Sequence, residues 1–252
     1  MTQQSNLDLF VDENDNKNSN LEVWTACHID HKIRFKYLRQ MIESAHKYIN
    51  NVIVRVSLSY DKQLITELDV QRELEPIKNK ALIYIHKTKM KQIDHLIHIK
   101  NNCTPAKNAW ILFMDDDDLI LSEYPKQLHQ CIIGKHQSMI GLQILPDGKI
   151  KADFSGYTAQ YEVVNSILDH ALNEAKKSNI VSIADLTIQT SLHDLNSYMP
   201  GKPIVFRRIW NNPQTWKQDM LQNVEHRELA EIKKKYEALY PGCTIKMTFV
   251  DK

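Results

Sequence analysis

Four consecutive carboxylates, Asp115, Asp116, Asp117 and Asp118, form the densest chemical feature of this 252-residue sequence. Adjacent like charges raise one another's pKa and cost stability unless a cation or free hydration compensates. A divalent cation removes that penalty. Hard carboxylate oxygens suit Mg²⁺ or Mn²⁺, which keep coordination positions open for the phosphates of a substrate. The apolar run Trp110-Ile111-Leu112-Phe113-Met114 delivers the tract straight from a buried-type strand. If the backbone stays extended, Asp115 and Asp117 point one way and Asp116 and Asp118 the other, so Asp115 and Asp117 make the metal clamp. Asp118 has two readings: a further metal ligand, or the N-cap of the helix that follows.

Such a clamp needs a rigid frame, and the apolar pattern predicts one. Strand-like Leu21 to Cys27, a helix from Arg34 to Tyr48 and strand-like Val52 to Leu58 open a βαβ unit. A helix over Leu64 to Glu75, a strand Ala81 to Ile85 and a helix Lys89 to Lys100 lead into the acidic strand. Alternating elements of this kind imply an α/β fold, with a mostly parallel sheet flanked by helices and ligands gathered at the carboxyl ends of its strands. Beyond the acids, a helix from Ser122 to Ile133 is followed by a hairpin, Ser138 to Leu145 and Ile150 to Phe154, joined at Pro146-Asp147-Gly148-Lys149. Helical spacing runs on from Tyr161 and again over Leu186 to Leu195. A strand Pro203 to Arg208, a charged helix Thr215 to Tyr240 and a strand Thr244 to Val250 complete a mixed α/β C-terminal half. Residues 1–20, rich in Asn, Asp, Gln and Ser, lack the apolar content to repay ordering and read as a mobile tail, leaving 21–252 as one domain.

Composition narrows the possibilities. Apolar and charged fractions of 42% and 25% are those of a globular protein, and a net charge of +1 argues against nucleic-acid binding. Cys27, Cys103, Cys131 and Cys243 form no CxxC pair, which excludes a zinc ribbon and suits free thiols in a reducing compartment. No run of about 18 apolar residues and no signal-peptide layout occur, so the expectation is either a cytoplasmic chain or one whose membrane anchor has been removed, with no transmembrane segment in this sequence.

The segment WILFMDDDDLIL resembles the Asp-x-Asp-Asp strand end of family-2-like glycosyltransferases with the GT-A fold, a Rossmann-like single domain. Asp115, Asp117 and Asp118 stand in the three acidic places. The resemblance implies that Asp115 and Asp117 bind the metal and the diphosphate or ribose of a UDP- or GDP-linked sugar, with Asp116 beside them on the donor side. It divides the domain into a nucleotide-sugar-binding half, 21–135, and an acceptor half, 136–252. Thr25-Ala26-Cys27-His28 matches the opening loop, so Thr25, Cys27 and His28 are carried over as nucleotide contacts. Asp61 falls where the family has an acidic residue on the base, although the usual Asp-Gly-Ser ending is absent. Gln92 and His95, three apart on a helix, fall where side chains face the donor; the alternative for His95 is an ordinary surface histidine.

The family's catalytic carboxylate finds its nearest match at Asp185, in Ala184-Asp185-Leu186, which has one acid rather than two. Asp185 is one candidate general base; the other is Asp153 in Lys151-Ala152-Asp153-Phe154. The segment Pro203 to Pro213 resembles the closing strand and its arginine-containing loop, with Arg207 and Arg208 to balance the departing diphosphate. Ile209 and Trp210 stand where many such enzymes have a histidine ligand. What the resemblance implies is an inverting, Mn²⁺- or Mg²⁺-dependent glycosyltransferase acting on a glycan, protein or lipid hydroxyl. Two rivals remain: a metal-dependent nucleotidyltransferase, whose Gly-rich basic triphosphate loop this sequence lacks, and a catalytically inactive binding protein of the same fold.

Overall fold

A computed structural model describes residues 21–106, 108–146, 148–177, 187–189, 191–192 and 195–207. The expected N-terminal tail, the helix Thr215 to Tyr240 and the strand Thr244 to Val250 lie outside the described residues.

The βαβ opening forms as the apolar spacing requires. Strand β1 runs Leu21–Ile29, helix α1 Ile33–Tyr48 and strand β2 Ile53–Tyr60; helix α2, Glu67–Leu74, leads to strand β3, Leu82–His86. Thr66 starts α2 through a capping box with Asp69, each side chain meeting the other's backbone N–H. Asp69 also binds Lys32, which ties the start of α1 to α2. Helix α3, Gln92–Asn101, precedes strand β4, Trp110–Phe113. After β4 come a short strand β5 (Leu119–Ile120), helix α4 (Tyr124–Ile133), strands β6 (Ser138–Met139), β7 (Leu142–Ile144), β8 (Ile150–Ala152) and β9 (Thr158–Gln160), then helix α5 (Tyr161–Lys177). Strands β10 (Ser197–Tyr198) and β11 (Val205–Phe206) close the described chain.

Seven strands make one sheet in the order β10-β6-β9-β4-β1-β2-β3; β5-β11-β7-β8 make a second. In the larger sheet only β9 runs against its neighbours, β4 and β6. The fold is therefore α/β and Rossmann-like, with a mostly parallel sheet flanked by helices, as the alternation of elements predicts. Both faces of the sheet are buried at its centre. Along β4, Trp110, Leu112 and Met114 join the core shared with α1 and α4, while Ile111 and Phe113 join the core shared with α3 and α5. Strict alternation with both sides apolar is what a central strand between two helical layers requires.

Three local expectations are corrected. The segment Ser138 to Leu145 is two strands rather than one: β6 pairs with β9 in the large sheet, whereas β7 forms the expected hairpin with β8 in the small one. The break falls at Gly141, where a Cβ would lie 2.6 to 2.7 Å from backbone atoms of Asp153, Ser155 and Tyr157. Only a residue without a side chain lets those two backbones cross so closely. The acidic tract is not extended beyond Met114: the Asp118 N–H turns back to the Asp115 carbonyl, and β5 follows immediately. Asp118 therefore caps no helix, and α4 starts at Tyr124 without a side-chain cap.

Candidate active site

The order β3-β2-β1-β4 means that the chain steps outward from β1 to β3, then returns to the other side of β1. Ligands of such sheets bind where the strand order reverses, beyond the carboxyl ends of the strands. Here the reversal lies between β1 and β4. Trp24 pairs with Phe113 at the end of the β4 ladder, and beyond it β1 continues to Ile29 paired only with β2 while the acidic turn peels away. Because β5 belongs to the second sheet, the turn bridges the two sheets and opens a cleft of about 550 Å³ between their ends.

The cleft is lined by Cys27 and His28 from β1, Arg34 from α1, Gln92 and His95 from α3, and Asp115, Asp116 and Asp117. From the second sheet come Leu145, Lys151 and Arg207. Carboxylates and cations thus face one another across it. The turn sorts the four aspartates as an extended strand would: Asp115 and Asp117 are half-exposed, whereas Asp116 and Asp118 are buried.

Asp116 is held from two sides. Arg34 grips both of its oxygens, at 2.5 and 3.3 Å, and the Cys27 thiol donates to Oδ2 at 3.0 Å. Burial opposes the guanidinium charge, but Asp116, Cys27 and Asp117 together outweigh it and raise the Arg34 pKa. Burial, then Asp116, pushes the Cys27 thiol well above its usual range, so the thiol stays protonated. Asp118 is not among the cleft-lining residues.

The positive wall carries its own pairing. Asp153 accepts from Lys151, from Arg207 and from the Phe154 N–H. Burial pushes its carboxyl up, but those three partners outweigh burial and hold it below its ordinary value. A carboxylate so occupied is a weak base. Burial likewise works against Arg207, yet Asp153, Asp118 and Asp115 keep it charged.

Two carried-over nucleotide contacts stand away from the cleft. Thr25 is in β1, not in a loop, and is fully buried, with its hydroxyl unpartnered among the described residues. Asp61 opens the turn after β2, accepting the Gln63 N–H at 2.8 Å, and is not part of the lining. Asp185 and Arg208 lie outside the described residues.

His95 departs from the surface reading altogether: it is 1% exposed. Its Nδ1 bonds the Ser57 hydroxyl at 2.8 Å and its Nε2 the Ser59 hydroxyl at 3.0 Å. Burial, reinforced by His86, His28 and His98, lowers its pKa to about 4. Ser57 and Ser59 escape a reading for motifs. Their signal is the spacing Arg55-x-Ser57-x-Ser59, which sets polar residues on one face of a strand whose other face is apolar.

No protein-family model matches the chain, and no curated protein matches it. Among solved structures, the chain is similar to 4-diphosphocytidyl-2C-methyl-D-erythritolsynthase from Anaerococcus prevotii DSM 20548. The two share 10% identity at a TM-score of 0.49, over 82% of this chain and 96% of that one.

Proposed function

We propose that the cleft takes the diphosphate of a UDP- or GDP-linked sugar and that the chain transfers the sugar to a hydroxyl acceptor, with inversion. The observation that carries this reading is the meeting of two half-exposed carboxylates, Asp115 and Asp117, with Arg34, Lys151 and Arg207 at the switch point of the sheet. A diphosphate beside a divalent cation needs that mixture: acids for the metal, fixed cations for the remaining phosphate oxygens. The cleft volume is that of an ordinary small-ligand site.

The donor set fits a Mg²⁺ or Mn²⁺ ion. Mg²⁺ is typically held by one or two carboxylates together with substrate phosphates. Among the described residues no group of three or more His, Cys, Asp or Glu is arranged to hold an ion. Asp115 and Asp117 would hold it, and the phosphates would complete its shell. When bound, the metal supplies charge neutralisation for the departing diphosphate. Arg34, locked by Asp116, presents its guanidinium with little conformational entropy left to lose. Arg207, poised between Asp153 and Asp115, neutralises phosphate charge from the opposite wall.

The connection from β1 to α1, Asp30-His31-Lys32, contains no glycine, whereas triphosphate cradles are built from Gly-rich loops at that place. This favours a nucleoside diphosphate donor over nucleotidyl transfer. A thermal-shift panel of UDP-sugars, GDP-sugars, CTP and UTP, each with and without Mn²⁺, tests the reading. A ligand at a hundredfold excess over its Kd adds about 2.7 kcal/mol of stability, easily seen as a rise in Tm. One nucleotide sugar should raise Tm only with metal, and Asp117→Asn should abolish the metal-dependent part. No such response sinks the proposal, and a triphosphate that stabilises and releases pyrophosphate replaces it with nucleotidyl transfer.

A further inference from the structure

The face of β2 that packs against α3 should be apolar, because α3 presents Ile93, Leu96 and Ile99 to the core. Instead it carries Arg55, Ser57 and Ser59. Arg55 is absorbed by a buried pair with Glu22, at 2.7 and 3.0 Å. The two serines enter a continuous chain of side chains. His28 Nδ1 meets Ser59 Oγ at 2.9 Å, Ser59 Oγ meets His95 Nε2 at 3.0 Å, His95 Nδ1 meets Ser57 Oγ at 2.8 Å, and Ser57 Oγ meets His86 Nε2 at 2.8 Å. One end, His28, lines the cleft; the other, His86, is half-buried at the end of edge strand β3. Its ring lies edge-on to the half-exposed His98, with centroids 4.4 Å apart.

Every member of this chain can donate and accept at once, since a neutral imidazole has one N–H and one lone pair and a hydroxyl has both. A buried neutral histidine needs a partner at each ring nitrogen; His95 meets both needs with hydroxyls, which themselves donate and accept, and each of them leads on to another histidine. The rings are also kept neutral. Burial, followed by Lys89 and Arg34 against Asp30 and Asp61, lowers His28, and burial with His98 lowers His86.

We propose that His28-Ser59-His95-Ser57-His86 is a proton relay that carries the acceptor hydroxyl's proton from the cleft to the outer edge of the sheet. It rests on the glycosyl-transfer reading for its substrate. As the acceptor oxygen bonds to the sugar carbon and the bond to the diphosphate breaks, the hydroxyl proton passes to His28 Nε2. The His28 Nδ1 proton moves to Ser59 and the Ser59 proton to His95 Nε2. The His95 Nδ1 proton moves to Ser57 and the Ser57 proton to His86 Nε2, while the His86 Nδ1 proton leaves to water. When products depart and water refills the cleft, His86 Nδ1 takes a proton back from water, the reverse hops restore Nδ1–H on each ring, and His28 Nε2 releases a proton to the cleft water. His28 is the catalytic residue; His95, Ser57, Ser59 and His86 act through it. A weak base at Asp153 is then no obstacle to acceptor deprotonation.

The tautomers test this without any turnover. Long-range ¹H–¹⁵N spectra of the full ¹⁵N-labelled chain at pH 7 should show His28, His95 and His86 all neutral and all protonated at Nδ1. Ser57→Ala should change the tautomer balance of His95 and His86 and, by leaving a buried ring nitrogen without its partner, lower Tm modestly. Unlike tautomers among the three rings, a doubly protonated His95 or a common Nε2–H form overturns the relay. With the donor that the thermal-shift panel identifies, His95→Gln, which still bonds both serines, should lower kcat about 100-fold with KM for the donor unchanged. A proton inventory in H₂O/D₂O mixtures should be bowed in the parent and linear in Ser57→Ala. Full kcat in His28→Gln and His95→Gln, with transfer lost in Asp185→Asn, overturns the relay in favour of Asp185 as base. A panel in which no nucleotide sugar binds ends the glycosyl-transfer reading, while the spectra still decide the relay.

Discussion

Asp116 lies between the two carboxylates assigned to the metal, yet its environment gives it a different task. Both of its oxygens are occupied by Arg34 and one also by Cys27, so it sets the position of a cleft cation. Removing one member of a buried ion pair leaves the other charged and desolvated, which costs about 3 kcal/mol. Asp116→Ala should therefore lower the urea midpoint by that equivalent, whereas Asp117→Ala, at a half-exposed position, should leave it nearly unchanged. Equal losses in the two variants would contradict the division of the tract into a structural and a ligand-facing member. The same division explains why a run of four carboxylates is tolerated: Asp116 is neutralised by Arg34, and Asp115 and Asp118 lie within electrostatic reach of Arg207.

At the scale of elements, the cleft depends on the second sheet being docked where it is, because Lys151 and Arg207 come from it. The crossing at Gly141 holds that docking. A Cβ there would meet two carbonyl oxygens and a backbone nitrogen, none of which can rotate away. Gly141→Ala should therefore cost about 1–3 kcal/mol, measured by urea denaturation, and should weaken nucleotide-sugar binding, since the strain falls on the segment carrying Asp153. Unchanged stability would show that the two strands need not cross so closely. Gly156, at φ +99°, turns the same segment back toward β9 and faces Val205 of β11.

For the whole molecule, the histidine chain ties stability to pH. An unfolded histidine titrates near 6.5, whereas His95 in the fold titrates near 4. Between those values the unfolded chain binds a proton that the native chain does not, so stability is full above pH 6.5 and is lost as pH falls toward 4. His28 and His86, also lowered, act in the same direction. Thermal unfolding followed by circular dichroism should show Tm falling through this window, with a shallower fall in His95→Gln. A Tm that rises or holds level on acidification would mean that the histidines are solvated rather than buried. Among the described residues no helix is long and apolar enough to cross a membrane.

Much of this molecule is legible in its sequence because the signals are local. Apolar runs of strand length alternating with amphipathic stretches specify β1 through β4 and their helices, and they imply a parallel sheet whose strand ends bear the ligand site. The pairing of Asp115 with Asp117 also follows from local alternation, and it persists although the backbone turns where an extended run was expected. What only the tertiary structure decided are relations across the chain. Arg34 to Asp116 spans 82 positions, Arg207 to Asp153 spans 54, and Ser57 to His95 spans 38. No spacing rule encodes such distances. The sequence likewise carries no mark that β6 and β7 part company at Gly141, because β strands are stabilised by partners distant in the chain rather than by their own residues. The sequence alone determined that carboxylates stand at a strand end; the fold decided which are half-exposed at the cleft and which are buried and paired within the protein, because that depends on which cations the folded chain brings to each oxygen.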